Sequence, residues 1–218
     1  MTLVETPRAH PDSVVVLRNI RWSTYLSLLD DIQPGRGKQL FYDRGTLEIV
    51  ATSPFHERTG KLLGRLLEVM TLELGIEIAS FGRTTWKRED LQRGFEPDEC
   101  YYVQSEPLVR GQDHIRLERD PPPDLVVEVD ISGSSVARHA LYAAFGIREA
   151  WRFDGEHVRF YELREGRDPA GVEVERSLAF PFLAPGNIDR FLALRASVSE
   201  TRLVEAFRDW VRETHRQG

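Results

Sequence analysis

Cysteine is nearly absent: Cys100 is the only one in 218 residues. A single thiol excludes an internal disulfide framework and an all-cysteine zinc site. No apolar run approaches the ~20 residues that a membrane-spanning helix needs, so no membrane contact is expected. The first residues, MTLVETPRAHPDS, lack a basic stretch followed by an apolar block, so no signal peptide is expected and the expected compartment is cytoplasmic. Internal repeats, linkers and low-complexity blocks are also missing. No H-x₃-H pair supports zinc. Positive charge is not in excess, with 29 Lys and Arg against 35 Asp and Glu for a formal net charge of −6. Bulk charge therefore does not advertise nucleic-acid binding, and any such role must rest on a local patch.

What is present is an ordinary soluble composition, 41% apolar and 29% charged. The length fits one domain over residues 1–218, large enough to hold a core without staples. Residues 1–13 are polar and read as a loose arm. RWSTYLSLLDDI places Trp22, Tyr25, Leu26 and Leu29 at helical spacing, and QPGRGK breaks it. QLFYDRGTLEIVA reads as a hairpin turning at Asp43-Arg44-Gly45. Ser53 and Pro54 start the clearest helix. Leu63, Leu66, Leu67, Met70 and Leu74 line one of its faces, Gly75 stops it, and Arg58, Lys61 and Arg65 form a basic stripe opposite.

Ile76 to Ser80 and Thr84 to Lys87 read as short strands. Another follows Pro97-Asp98 through Val103, and residues 104–120 read as a surface loop. DLVVEVDI is a dense strand, SGSS a turn or helix start, and VARHALYAAFGI a helix. EAWRFD and HVRFYEL make a hairpin at Asp154-Gly155, and 164–175 reads as a charged loop. From about Glu200 a last helix carries Leu203, Phe207, Trp210 and Val211 on one face. The order gives a mixed α/β domain.

The carboxylates carry the chemistry. Alternation in DLVVEVDI puts Glu128 and Asp130 on one face with Val126. Two acids side by side in an apolar strand repel one another and need a partner. A divalent cation answers that need, and so does an arginine. Asp98 opens another strand after its own proline, on the face of Cys100 and Tyr102. His56 and His139 flank these positions and read as hydrogen-bonding neighbours.

LEIVATSPFHE, FGRTTWKRED, GFEPDECYYV and PPPDLVVEVDISGSSVARHALYAAFGIREAWRFDG, in that order, resemble the Uma-type family. These are cyanobacterial and other bacterial restriction-endonuclease-like proteins of the PD-(D/E)XK nuclease superfamily. The resemblance covers a core of about 20–163, with 164–218 as a C-terminal extension. It implies a restriction-endonuclease-like fold, a central mixed sheet flanked by helices, with LEIV in that sheet. It implies metal ligation by Asp98 and Glu128, and Glu57 as an accessory acid. Asp130 is then either an extra ligand or the salt-bridge partner of Arg138. The superfamily expects lysine at position 130, and Arg138 occupies the place in the next helix where lysine is frequent in the family.

The function implied is a Mg²⁺- or Mn²⁺-dependent endonuclease hydrolysing DNA, with Arg138 holding phosphate or offsetting its charge. The alternative is a nuclease-fold module that binds nucleic acid or protein with weak or no cleavage. Arg83, Lys87 and Arg88 are further candidates for nucleic-acid contact. The amphipathic tail leads to an expected homodimer, the common assembly of an enzyme that cuts two strands.

Overall fold

A computed structural model describes residues 12–32, 37–133 and 136–215. Most of the expected arm, most of the QPGRGK break and two serines of the SGSS turn lie outside the described residues. The described part of the arm is not loose. Ser13–Leu17 form strand β1, which pairs antiparallel with β3, Thr46–Ala51. Helix α1, Trp22–Ile32, buries Trp22, Tyr25 and Leu29 as its spacing predicts. Strand β2, Lys38–Asp43, closes the hairpin with β3. Its turn uses positive φ at Arg44 and Gly45, 44° and 95°.

Helix α2, Pro54–Leu74, begins where expected: the Ser53 hydroxyl accepts the His56 N–H, and Gly75 ends the helix at φ 64°, ψ 30°. Such a cap is worth ~1 kcal/mol. Far more comes from Leu62, Leu63, Leu66, Leu67 and Met70, all buried, each contributing roughly 1.5–3 kcal/mol. Four short strands follow: β4 (Ala79–Ser80), β5 (Trp86–Arg88), β6 (Arg93–Phe95) and β7 (Glu99–Tyr102). The one-turn helix α3, Glu106–Val109, lies within the expected surface loop. Strand β8, Leu125–Val129, is buried throughout. Helix α4, Arg138–Ala144, leads to β9 (Glu149–Phe153), β10 (Val158–Leu163) and β11 (Gly171–Val174). Helix α5, Pro185–Leu192, a 3₁₀ turn and helix α6, Glu200–His215, finish the chain.

Two sheets organise these elements. One runs β1-β3-β2-β6-β5, the other β11-β10-β9-β8-β7-β4. In the second sheet only β8 and β9 are parallel, joined across α4; the other pairs are antiparallel. LEIV therefore does not share a sheet with DLVVEVDI, as the resemblance had implied. It lies in the first sheet, because β3 finds both partners among its sequence neighbours β1 and β2. On the α2 side of the second sheet, Val127, Val129, Trp151 and Phe160 pack with the leucines of α2 and with Leu203, Phe207 and Val211 of α6. On the α4 side, Cys100, Tyr102, Val126 and Ala150 pack with Leu141 and Tyr142. The apolar face of α6 is thus covered by its own domain, and the argument for a dimer from that face fails. Among the described residues no helix is long and apolar enough to cross a membrane.

Candidate active site

Asp98 lies one residue ahead of β7, in a bend. Its side chain turns toward α2, where a Cβ added at Gly60 would sit 3.6 Å from the Asp98 Cβ. That corrects the expected placement on the face of Cys100 and Tyr102; alternation does not extend past the end of the strand. Oδ2 accepts the Val129 N–H at 2.8 Å, tying Asp98 to the residue beside Glu128. Oδ1 accepts from the Gln39 side-chain amide at 2.9 Å and from Arg83 at 2.9 Å, and meets His56 Nε2 at 2.8 Å. Burial raises the Asp98 pKa, but the His56 hydrogen bond, the charges of His56 and Arg83, and the Val129 N–H outweigh it. The carboxyl is held below the ordinary range.

His56 has a carboxylate at each ring nitrogen: Asp98 at Nε2, and Asp12 Oδ2 at 2.7 Å from Nδ1. Burial lowers its pKa, but those two carboxylates prevail and lift it to about 9. The ring is an imidazolium at neutral pH. Asp12 comes from the expected loose arm and also accepts the Ser53 N–H at 2.7 Å, so the start of the chain anchors the start of α2. Neither residue stood out in the sequence as part of this site: His56 read as a neighbour, and Asp12 gave no signal.

Glu57 accepts from the Thr52 hydroxyl. Its Oε1 also lies 2.8 Å from the Arg83 guanidinium. Arg83 therefore bridges Glu57 and Asp98.

Glu128 lies on the α4 side of β8. Its Oε2 accepts from Arg138 at 3.1 Å and its Oε1 from the Tyr142 hydroxyl at 2.7 Å. Arg138 folds back from the first residue of α4, as expected, and is almost fully buried. It also donates to Glu48 at 3.0 Å and lies 3.8 Å over the Phe41 ring. Glu48, fully buried on β3, is a site residue that the sequence reading passed over. The signal was there, a glutamate between Leu47 and Ile49 in an otherwise apolar strand. Burial pushes Glu128 up, Asp98 adds to the push, and Arg138 and Tyr142 offset it only in part, leaving a pKa of about 8. Asp130 turns to Arg152, 3.1 Å away, and not to Arg138.

The basic stripe of α2 is spent on ion pairs. Arg58 and Arg65 meet Glu200 of α6, and Lys61 meets Glu99. Arg88 pairs with Asp90.

Taken along their ion pairs, Asp12, Glu48, Glu57, Asp98 and Glu128 are held by His56, Arg83 and Arg138. The donors are hard oxygens of the kind Mg²⁺ takes from one or two carboxylates, keeping its other positions for water and phosphate. Among the described residues no three His, Cys, Asp or Glu side chains form a ligand set by themselves. Asp98 and Glu128 supply donors of the type Mg²⁺ takes, and each of their four oxygens is already partnered by a protein group.

The family model Uma2, described as "Putative restriction endonuclease", matches residues 22–186, more than half of the chain. No curated protein matches. Among solved structures, one described as a putative nuclease belonging to DUF820, from Anabaena variabilis, aligns with a TM-score of 0.50 at 15% identity. The alignment covers 86% of this chain and 99% of that one. At that identity the likeness shows the fold, mixed sheets flanked by helices in a restriction-endonuclease-like arrangement.

Proposed function

Because the chain belongs to the Uma2 family of restriction-endonuclease-like proteins, we propose that it is a divalent-metal-dependent endonuclease that hydrolyses phosphodiester bonds of DNA. Restriction-endonuclease-like proteins generally use a divalent metal, and in this reading the ion is Mg²⁺ or Mn²⁺. The observation that supports the reading best is the tie between Asp98 and β8. The Asp98 carboxylate binds the N–H of Val129, next to Glu128, so two acids far apart in sequence act on one another.

Asp98 and Glu128 hold the metal in this reading. Asp130, paired with Arg152, would be a third ligand, and Glu57, bridged to Asp98 by Arg83, would be the accessory acid. When bound, the metal polarises the phosphate and makes a bound water more acidic. The chain's own groups do the rest. His56 and Gln39 fix the Asp98 carboxylate. Tyr142 fixes Glu128. Arg138, always protonated, cannot serve as a general base, but its planar fork can donate two parallel hydrogen bonds to phosphate oxygens. Phe41 beneath the guanidinium keeps it in plane.

The deciding experiment is incubation of supercoiled and linear DNA with the full chain and Mn²⁺, wild type beside Asp98→Ala. Cleavage lost in the variant is the expected result. Inert wild-type protein would leave the alternative, a nuclease-fold binding module. That outcome has its own support in the structure, since the oxygens of Asp98 and Glu128 already accept hydrogen bonds from protein donors. Calorimetric titration with Mg²⁺ and Mn²⁺ separates the two readings further, because metal binding that depends on Asp98 belongs to the first. We further propose cytoplasmic action as a homodimer; a light-scattering mass near that of one 25.1 kDa chain removes the dimer.

A further inference from the structure

Beside Glu128 lies a cleft of about 490 Å³, within the few hundred to a thousand Å³ typical of small-ligand sites. Its walls come from α4, from β8 and β9, and from the segment that leads into β11. Glu128, Arg138 and Tyr142 line it, whereas Asp98 and Glu57 do not. The cleft thus opens on one half of the acid cluster only. A duplex is too wide to enter a space of this size, but one nucleotide is not.

The lining has two characters. Ala137, Ala140 and Pro169 give an apolar wall, and the His139 ring stands beside them, 4.3 Å from the Tyr161 ring. His139 fits there because residue 171 is glycine; a Cβ at that position would lie 2.3 Å from its Nδ1. A flat apolar wall with a ring beside it suits a base, since base faces stack on rings without regard to sequence. Arg152 lines the same cleft and lies across from Glu128 in the β8–β9 register. Its side chain is about a third exposed and pairs with Asp130 at 3.1 Å. The planar fork carries more donors than one carboxylate uses, which leaves N–H groups for a phosphate. Arg167 and Asp168 stand exposed at the rim, one suited to a phosphate and the other to an amino or hydroxyl group.

We propose that this cleft seats a single unpaired nucleotide of the DNA strand, with its base against the Ala137–Ala140–Pro169 wall and its phosphate on Arg152. The proposal rests on the nuclease reading and adds a substrate class: single-stranded or locally opened DNA in preference to a closed duplex. It makes Arg152, on β9, a phosphate-holding residue. It also gives Glu128 and Arg138 a defined substrate side.

The test is calorimetric titration of the full chain, in chelator and without metal. The probes are deoxyadenosine 5′-monophosphate, deoxyadenosine and inorganic phosphate. The wild type is compared with Ala137→Trp, which fills the mouth of the cleft from an exposed position, and with Arg152→Gln, which keeps a hydrogen bond to Asp130. The expected result is that the monophosphate binds at least tenfold more tightly than either fragment, and that each variant weakens it at least tenfold. Monophosphate binding no tighter than phosphate alone overturns the proposal, and so does unchanged binding by an Ala137→Trp protein with wild-type melting. Should Ala137→Trp fail to fold, Arg152→Gln decides alone, with unchanged binding overturning the assignment of its phosphate. The nuclease reading is judged separately, by wild-type cleavage with Mn²⁺. DNA cut equally well by wild type and Ala137→Trp, with no nucleotide bound, sinks the cleft and spares the nuclease. Nucleotide bound with no cleavage does the reverse.

Discussion

His56 places its Nε2 2.8 Å from the Oδ1 of Asp98 with both side chains buried, while its Nδ1 holds Asp12 on the other side. The imidazolium is the counter-ion of two carboxylates that water does not reach. His56→Ala therefore leaves two buried acids short of their partner. Breaking a buried pair from one side costs about 3–5 kcal/mol, to be read in urea unfolding of wild type and variant. A loss below about 1 kcal/mol would show that the ring is a spectator.

The same ring sets a pH dependence. A histidine raised from its usual 6.5 to about 9 contributes stability that is fully present below pH 6.5 and is lost as pH rises through 9. Glu128, raised from 4.5 to about 8 by burial, binds its proton more tightly folded than unfolded, so it too withdraws stability as pH rises from 4.5 to 8. The melting temperature should fall between pH 6.5 and 9. Glu128→Gln should flatten the curve between pH 4.5 and 8, and His56→Gln the curve between pH 6.5 and 9. A wild-type melting curve that is flat or rises over that range contradicts both assignments.

Arg138 bridges Glu128 and Glu48 and stacks on Phe41. Truncation to alanine removes charge, two hydrogen bonds and packing together, so a fold left intact is not expected. Arg138→Ala should lose about 3–5 kcal/mol, together with any cleavage. Arg138→Lys keeps the charge but offers no planar fork, so it should unfold between wild type and alanine. Equal unfolding midpoints for lysine and arginine would mean that the bridge is not bidentate.

Gly94 lies under Tyr25. A Cβ there would meet the Tyr25 hydroxyl oxygen at 2.2 Å and two ring carbons at 2.8 and 2.9 Å, in a region where Tyr25 is fully buried. Gly94→Ala should cost about 1–3 kcal/mol, the range for overpacking a core, measured by thermal melting. A neutral result would mean that α1 yields more readily than its packing implies.

Helices were the most legible part of the sequence. The Ser53 cap, the Leu63–Met70 stripe and the Leu203–Val211 stripe each lie within the helix they announce, because local spacing and capping decide helices. Short strands were less so. β6 and β11 are three and four residues long, too brief for alternation to show, and β1 hides behind a polar arm. The site was legible where acids interrupt an apolar strand, as at Glu128, and where a turn returns a basic residue, as at Arg138. It was not legible at Asp12 or Gln39, nor in the bridge that Arg83, read as a nucleic-acid contact, makes between Glu57 and Asp98. Their roles come from tertiary approach across 41 to 59 residues of chain to Ser53 and Asp98, or from a loop that carries no periodic signal.

The place of Asp12 bears on how the chain can be shortened. The family-matched stretch, 22–186, looks like a natural minimal unit, yet trimming to it discards Asp12 at one end and α6 at the other. The first cut strips His56 of one of its two anions. The second exposes the leucines of α2 and leaves Arg58 and Arg65 without Glu200. A fragment built on family boundaries would expose a greasy flank and carry a loosened acid cluster, inviting aggregation before any assay of its chemistry began.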